Sequence, residues 1–207
     1  MVYLSSAYLA PVQHYAKLYQ HASSTVCKEV HENYVKQTYR NRCTIAAAGG
    51  TLSLSIPTEK PETLKCLTKD IRISEHGNWR HLHWHALLSA YNMSPFFEYY
   101  EAEFAPFYEK KYTFLFDFNE ALEALVCDLL DLHPTVCHTS VFEAELPNDF
   151  RYAIRPKHPA EDSNFFPKPY YQVFQDKHGF LPNLSIVDLL FNMGPEGLLV
   201  LRDSIVP

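Results

Sequence analysis

The chain has 207 residues, a formal net charge of -6 at pH 7, a pI near 6.0 and 14% aromatic residues. That length suits one large unit able to bury its own core. The aromatic content excludes a disordered chain, and the acidic balance gives no basic surplus for a nucleic-acid partner. No apolar run reaches the roughly 18 residues a membrane span needs. The start MVYLSSAYLA lacks the basic region of a secretory leader. Five scattered cysteines without a CxxC pair fit free thiols in a reducing cytoplasm. A cytoplasmic protein is therefore expected.

VYLSSAYL reads as a first strand. Pro11 opens a helix in PVQHYAKLYQHA, with Val12, Tyr15, Ala16 and Tyr19 at helical spacing, and STVCKEV returns as a short strand. This βαβ-like start favours an α/β fold with mixed α and β elements. Residues 42–57 carry the clearest hairpin signal, CTIAAA and TLSLSIP around Gly49-Gly50, with Leu52, Leu54 and Ile56 on one face. PTEKPET is a polar loop, and DIRIS is a further candidate strand.

HLHWH places His81, His83 and His85 at alternate positions. In a strand all three share a face and suit zinc. However, Trp84, Leu87, Leu88 and Tyr91 fall at helical spacing, between a capping Asn78 and Pro95. The segment is thus expected as a helix with His81 and His85 on one face and His83 on the other; no metal ligand set is assigned. SPFFEYYEAEFAPFYEK reads as helix broken by Pro106. FNEALEALVCDLLDL reads as helix with a stripe of Leu122, Leu125, Val126, Leu129 and Leu130. TVCHTSVF alternates as a strand, which sends Cys137 and His138 to opposite faces.

Prolines 147, 156, 159, 167 and 169 exclude regular structure from about 144 to 170 and predict a long ordered loop or lid. NLSIVDLLFNMG closes the pattern as a helix burying Ile186, Leu189, Leu190 and Met193. No linker marks a boundary, so one unit over 1–207 is expected.

Chemistry-bearing residues gather in a few stretches. YVKQTYRNRC holds Lys36, Arg40 and Arg42 with Asn41 between, a set suited to phosphate or carboxylate, or to a solvated basic turn. Ser185, Asp188 and Asn192 lie on the polar side of the last helix. There Asp188 either orients a histidine or completes a capping box with Ser185. His178 sits in a turn near Gln172 and is a candidate acid/base, or inert. GxSxG, a Walker loop and GxGxxG are absent.

Four stretches, YLAPVQHYAKL, KQTYRNRCTI, WRHLHWHALLSAYNMSPFF and FLPNLSIVDLLFNMG, together resemble the WbqC-like family. Tyr8, Pro11, Tyr15 and Leu18 follow its first motif, Lys36, Asn41, Arg42 and Ile45 its second, Trp79, His83, Tyr91 and Pro95 its third. Pro182, Leu184, Ser185, Asp188, Leu190, Asn192 and Gly194 follow its last. The chain departs from the pattern at Ser6-Ala7, where the family has Gln-Pro, and at EVHE, where it has paired aspartates; any carboxylate role there is either lost or moved to Glu29 or Glu32. The resemblance implies a bacterial protein of surface-polysaccharide (O-antigen) synthesis, and a cytoplasmic transferase acting on an activated anionic small molecule such as a nucleotide sugar. On that reading His83 and Asp188 are catalytic, and Tyr8, Lys36, Asn41, Arg42, Gln172, His178 and Asn192 contact substrate. No cofactor and no oligomeric state is implied. Two alternatives stand beside it: a non-catalytic scaffold using the aromatics of PFFEYY and FAPFYE, and a nucleotidyltransferase suggested by a strand, a turn bearing His14, and a helix.

Overall fold

In the computed structural model, which describes residues 1–61, 63 and 65–206, the strand–helix–strand start is present as read. Strand β1 (Val2–Ser5) leads through residues 6–11 into helix α1 (Val12–Gln20) and back along strand β2 (Thr25–Glu29). β1 and β2 pair in parallel from Val2–Val26 to Ser5–Glu29. Parallel neighbours need such a crossover, and the helix supplies it.

Strands β3 (Arg42–Ala47) and β4 (Gly50–Ser55) form the expected antiparallel hairpin. Ala47 pairs with Gly50, so Ala48-Gly49 makes the two-residue connection, one residue earlier than Gly49-Gly50. Leu54 and Ile56 are buried while Leu52, near the tip, is exposed. Glu62, in the polar loop that follows, lies outside the described residues. DIRIS does not form a strand: Thr68–Asp70 is a 3-10 turn, and beyond it Arg72 and Ile73 make only single bridges to Phe114 and Thr58.

Helix α2 (Trp79–Tyr91) buries Trp79, His83, Leu87, Ala90 and Tyr91 and leaves His81 and His85 exposed. Asn78 does not cap it; it takes a left-handed φ of 49° and makes no cap hydrogen bond. Helix α3 (Phe97–Glu109) is not broken by Pro106. The proline sits in the last turn, where it removes a single donor, and its own carbonyl still accepts from Lys110. Helix α4 (Leu115–Leu129) buries Leu115, Phe118, Leu122 and Val126, and carries Glu123 inward with them.

Strand β5 (Thr135–His138) joins the free side of β2 in parallel, giving the order β1-β2-β5. The following 36 residues to Phe174 contain no helix or strand, as the prolines require. They are tied down all the same. Asp149 bridges Tyr3 in parallel, with Tyr3 N–H donating to Asn148 O (3.1 Å) and Phe150 N–H to Tyr3 O (3.0 Å). Phe165 bridges Ile205. The chain then forms α5 (Gln175–His178), α6 (Ile186–Met193) and α7 (Gly197–Asp203). Gly194 ends α6 at φ +54°, where a Cβ would stand 2.5 Å from the Phe96 ring, so this cap requires glycine. One contiguous apolar cluster joins these elements, from Val2 to Leu201.

Candidate functional site

The expected constellation is distributed over three places. Lys36 is exposed, Arg40 is buried and Arg42 is half-buried, its Nε donating to Ser55 Oγ at 3.0 Å. Asn41 Nδ2 donates to Ile56 O (2.9 Å), which ties the start of the hairpin to its end. The three cations of the basic stretch therefore do not converge.

His83 lies among rings. Its Nδ1 is 3.0 Å from the Tyr8 hydroxyl, which is itself 2.9 Å from Tyr108 Oη, and Trp79 packs edge-on at 5.2 Å between centroids. Burial pulls its pKa down to about 4, opposed by a hydrogen bond with the Ser55 backbone. A histidine whose folded pKa lies below its unfolded value stabilises the fold above pH 6.5. That contribution disappears as pH falls through about 4, and amounts to about 3 kcal/mol. His83→Gln should therefore flatten the pH dependence of the denaturation midpoint between pH 6.5 and 4 by one proton; an unchanged slope sinks the assignment of a buried neutral imidazole.

Asp188 does not meet His83. Its carboxylate accepts from Tyr91 Oη (2.9 Å), Tyr170 Oη (2.7 Å) and Gln172 Nε2 (2.8 Å). Burial raises its pKa and these three donors oppose the rise. Ser185 donates to Leu9 O rather than capping α6, so the capping-box reading fails for both partners. Asn192 bonds Val173 N–H and Asp188 O, and Gln172 also bonds both backbone groups of Leu181 that face it through Leu181 N–H and O. Gln172, Asp188 and Asn192 thus form one network that fixes residues 170–173 to α6. His178 stands apart, 3.2 Å from Ala48 O at the hairpin tip. The His81 and His85 rings lie 4.1 Å apart between centroids, tilted by 58°, and among the described residues no third His, Cys, Asp or Glu joins them as a metal ligand.

A denser cluster lies elsewhere, at the carboxyl ends of β1 and β2. Lys28, on β2, is fully buried; its Nζ donates to Glu123 Oε2 (2.6 Å) and lies 3.0 Å from His14 Nε2, which is itself 2.8 Å from the same Glu123 oxygen. Burial tends to raise the Glu123 carboxyl, but Lys28 and His14 outweigh it and hold the pKa near 2. Burial and Lys28 lower His14, so its ring is neutral near pH 7. Nε2 of a neutral ring cannot both accept from Lys28 and donate to Glu123. The three groups therefore share one proton position between two arrangements.

Around this triad sit further buried charges. Arg40 pairs with Glu32 and donates to Ser5 Oγ (2.8 Å), while Asn119 Nδ2 holds Ser6 Oγ (3.2 Å) and Arg40 O (2.8 Å). Arg151 bonds Glu29 (3.0 Å), both oxygens of Asp149 (2.8 and 2.7 Å) and Glu143 O (2.8 Å). Lys17 pairs with Asp162 (2.8 Å), which also accepts from Gln13 Nε2 (2.8 Å). Ser5, Ser6, His14, Arg40 and Arg151 line a small closed crevice of about 10 Å³ under Phe150 and Ile154. It lies between β1 and the bridging segment 148–150, where the chain returns to the far side of β1. In parallel sheets that change of direction, outside the carboxyl ends of the strands, is the usual ligand crevice.

Sequence reasoning named His14, Arg40, Glu29 and Glu32 only in passing and missed Lys28, Glu123, Arg151 and Lys17. Two signals were available. Lys28 alternates with Val26 on the apolar face of its strand. Glu123 stands three residues before Val126 and seven before Leu130, on the apolar stripe of its helix. A charge on an apolar face demands a partner.

No curated protein and no solved structure gives a match. The model of the WbqC-like protein family matches residues 6–154. That span begins just past β1 and holds the triad, β2, β5 and the Arg151 anchor; the last resembling stretch, around α6, lies beyond it. The chain belongs to the WbqC-like family.

Proposed function

We propose that the protein is a transferase whose site is the crevice at the carboxyl ends of β1 and β2, with His14 as acid/base. The observation that carries this reading is the contact of His14 Nε2 with both Lys28 Nζ and Glu123 Oε2. Burial and Lys28 keep the ring neutral at rest, the state a general base starts from, and the Glu123 carboxylate compensates the imidazolium that forms when His14 takes a proton. Arg40, Arg151, Ser5 and Ser6 supply donors for an anionic group, as in a nucleotide sugar used in surface-polysaccharide synthesis. A crevice of about 10 Å³ admits no more than a water. Substrate entry therefore requires the 148–154 segment to lift, and Arg151 leaving Glu29 frees its guanidinium for the substrate. On this reading proton transfer belongs to His14, which has the Glu123 carboxylate beside it, and not to His83, whose partners are the Tyr8 hydroxyl and the Ser55 backbone.

The same site suits nucleotidyl transfer, although that alternative expects His14 in a turn before the helix and His14 stands in the first turn of α1 itself. The products separate the two: a nucleoside diphosphate for glycosyl transfer, pyrophosphate for nucleotidyl transfer. For the scaffold alternative, Phe97, Phe104 and Tyr108 of the aromatic stretches are buried in the core, which leaves Tyr99 as their exposed ring.

The test is a thermal-shift panel of nucleotide sugars and nucleoside triphosphates, followed by product analysis on any ligand that binds. A ligand at about 100 times its Kd should raise the midpoint by roughly 5–10 °C. Arg40→Lys should lose the shift, and His14→Gln should keep it while losing turnover. Turnover that survives in His14→Gln removes the acid/base assignment.

A further inference from the structure

Away from the charged crevice, the opposite face of the parallel sheet carries two thiols. Cys27 on β2 and Cys137 on β5 are register partners, and Cys137 Sγ lies 2.9 Å from Cys27 Sγ. The pleat that sends Lys28 toward His14 and Glu123 sends Cys27 the other way, and the register sends Cys137 with it. The pair opens on a cavity of about 220 Å³ walled by Met1, Tyr3, Thr139 and Glu143. Cys27 is buried, Cys137 partly exposed. The other three cysteines have no such neighbour: Cys66 Sγ faces the Leu67 carbonyl, and Cys43 and Cys127 are buried thiols raised by that burial.

We propose that Cys27 and Cys137 form a peroxide-reactive dithiol, an oxidation site that closes to a disulfide without rearranging the sheet. Neighbouring strands lie about 4.8 Å apart, within the Cα separation a disulfide accepts. The order of events follows from access. Cys137, reached through the cavity, attacks one oxygen of hydrogen peroxide; the S–O bond forms as the O–O bond breaks, the leaving hydroxide takes up the Cys137 thiol proton as water, and Cys137 becomes a sulfenic acid. Cys27 then attacks the Cys137 sulfur, the S–S bond forms, the S–O bond breaks, and hydroxide leaves with the Cys27 proton as water. Two thiols lose two electrons and two protons, and one peroxide becomes two waters. Burial first, and then the bond with Cys137, raises Cys27 to about 12, so it is a thiol at rest and acts as the resolving partner.

The experiment treats the full-length protein with hydrogen peroxide, quenches it, and counts free thiols after denaturation, with peptide mapping. The count should fall from five to three. The linked peptides should contain Cys27 and Cys137, and the thermal midpoint should rise by about 5–10 °C as the closed loop restrains the unfolded chain. Cys27→Ser should yield Cys137 sulfenic or sulfinic acid with no crosslink, whereas Cys66→Ser should leave the crosslink intact. A count that stays at five, a crosslink through any other cysteine, or terminal oxidation of Cys137 in the wild type without a crosslink each overturns the proposal.

Discussion

Glu123→Gln should lower the thermal midpoint by about 10 °C, because it strands the Lys28 ammonium among apolar groups. Lys28 is fully buried and Glu123 is its only ion-pair partner among the described residues. Removing one member of a buried pair costs about 3–5 kcal/mol, and for a chain of this size each kcal/mol moves the midpoint by roughly 2–4 °C. Removing both charges is a different matter. Lys28→Met with Glu123→Leu eliminates the desolvation penalty along with the attraction, and should recover most of the loss. The pH dependence supplies an independent check. The folded Glu123 pKa, near 2, lies below that of the unfolded chain, so the carboxylate stabilises fully above about pH 4.5 and loses its effect as pH falls through 2. The gap between wild type and Glu123→Gln should be constant from pH 6 to 8 and shrink below 4.5. Equal midpoints for the two proteins at neutral pH would mean that the triad is not a buried charged cluster.

Arg151→Ala should be comparably destabilising and should also loosen one segment selectively. Its guanidinium is nearly inaccessible and holds Glu29 on β2, Asp149 in the sheet-edge bridge and the Glu143 carbonyl together. Without it Glu29 keeps, among the described residues, only His31 N–H and Thr139 Oγ1 as donors. A loss of about 3–5 kcal/mol follows from the uncompensated carboxylate. Arg151→Lys should restore less than half of it, since an ammonium cannot span three acceptors with a planar fork. Limited trypsin digestion distinguishes local from global effects. In Arg151→Ala, cleavage after Lys157 should accelerate more than in Glu123→Gln, although both are destabilised to a similar degree. Equal cleavage rates in the two variants would show that Arg151 does not anchor this segment in particular.

Much of the fold was legible because its elements obey local periodicity. The first strand, helix and second strand, the hairpin, α2, α4 and α6 all follow from apolar spacing and turn residues. The errors are also local in origin. DIRIS alternates like a strand, but Arg72 and Ile73 find only single bridge partners, so no ladder forms. Pro106 reads as a break, yet a proline in the last helical turn forfeits too little to end the helix. The site was less legible. The basic stretch suggested an anion cradle, but β-strand alternation and the turn before it send Lys36, Arg40 and Arg42 into three environments. His83 was singled out by its motif, and its surroundings are the Tyr8 phenol and the Trp79 indole. Arg151 sits in a proline-rich stretch without periodicity, where no pattern announces which side chain turns inward.

The sheet also sets an order of assembly. β1 and β2 are joined by a short helical crossover, but the pairing of Val26 with Val136 and the bridge of Tyr3 to Asp149 close loops of more than a hundred residues. Such distant contacts form late, after the chain has met the entropy of closing them. During synthesis, β2 has an open hydrogen-bonding edge until β5 has left the ribosome. Lys28, committed to the apolar face of its strand, has no Glu123 to neutralise it until α4 has emerged. The nascent strand pair thus carries first an unneutralised charge and then an unpaired edge, and its need for protection from other chains ends only when β5 has emerged, at roughly two thirds of the given sequence.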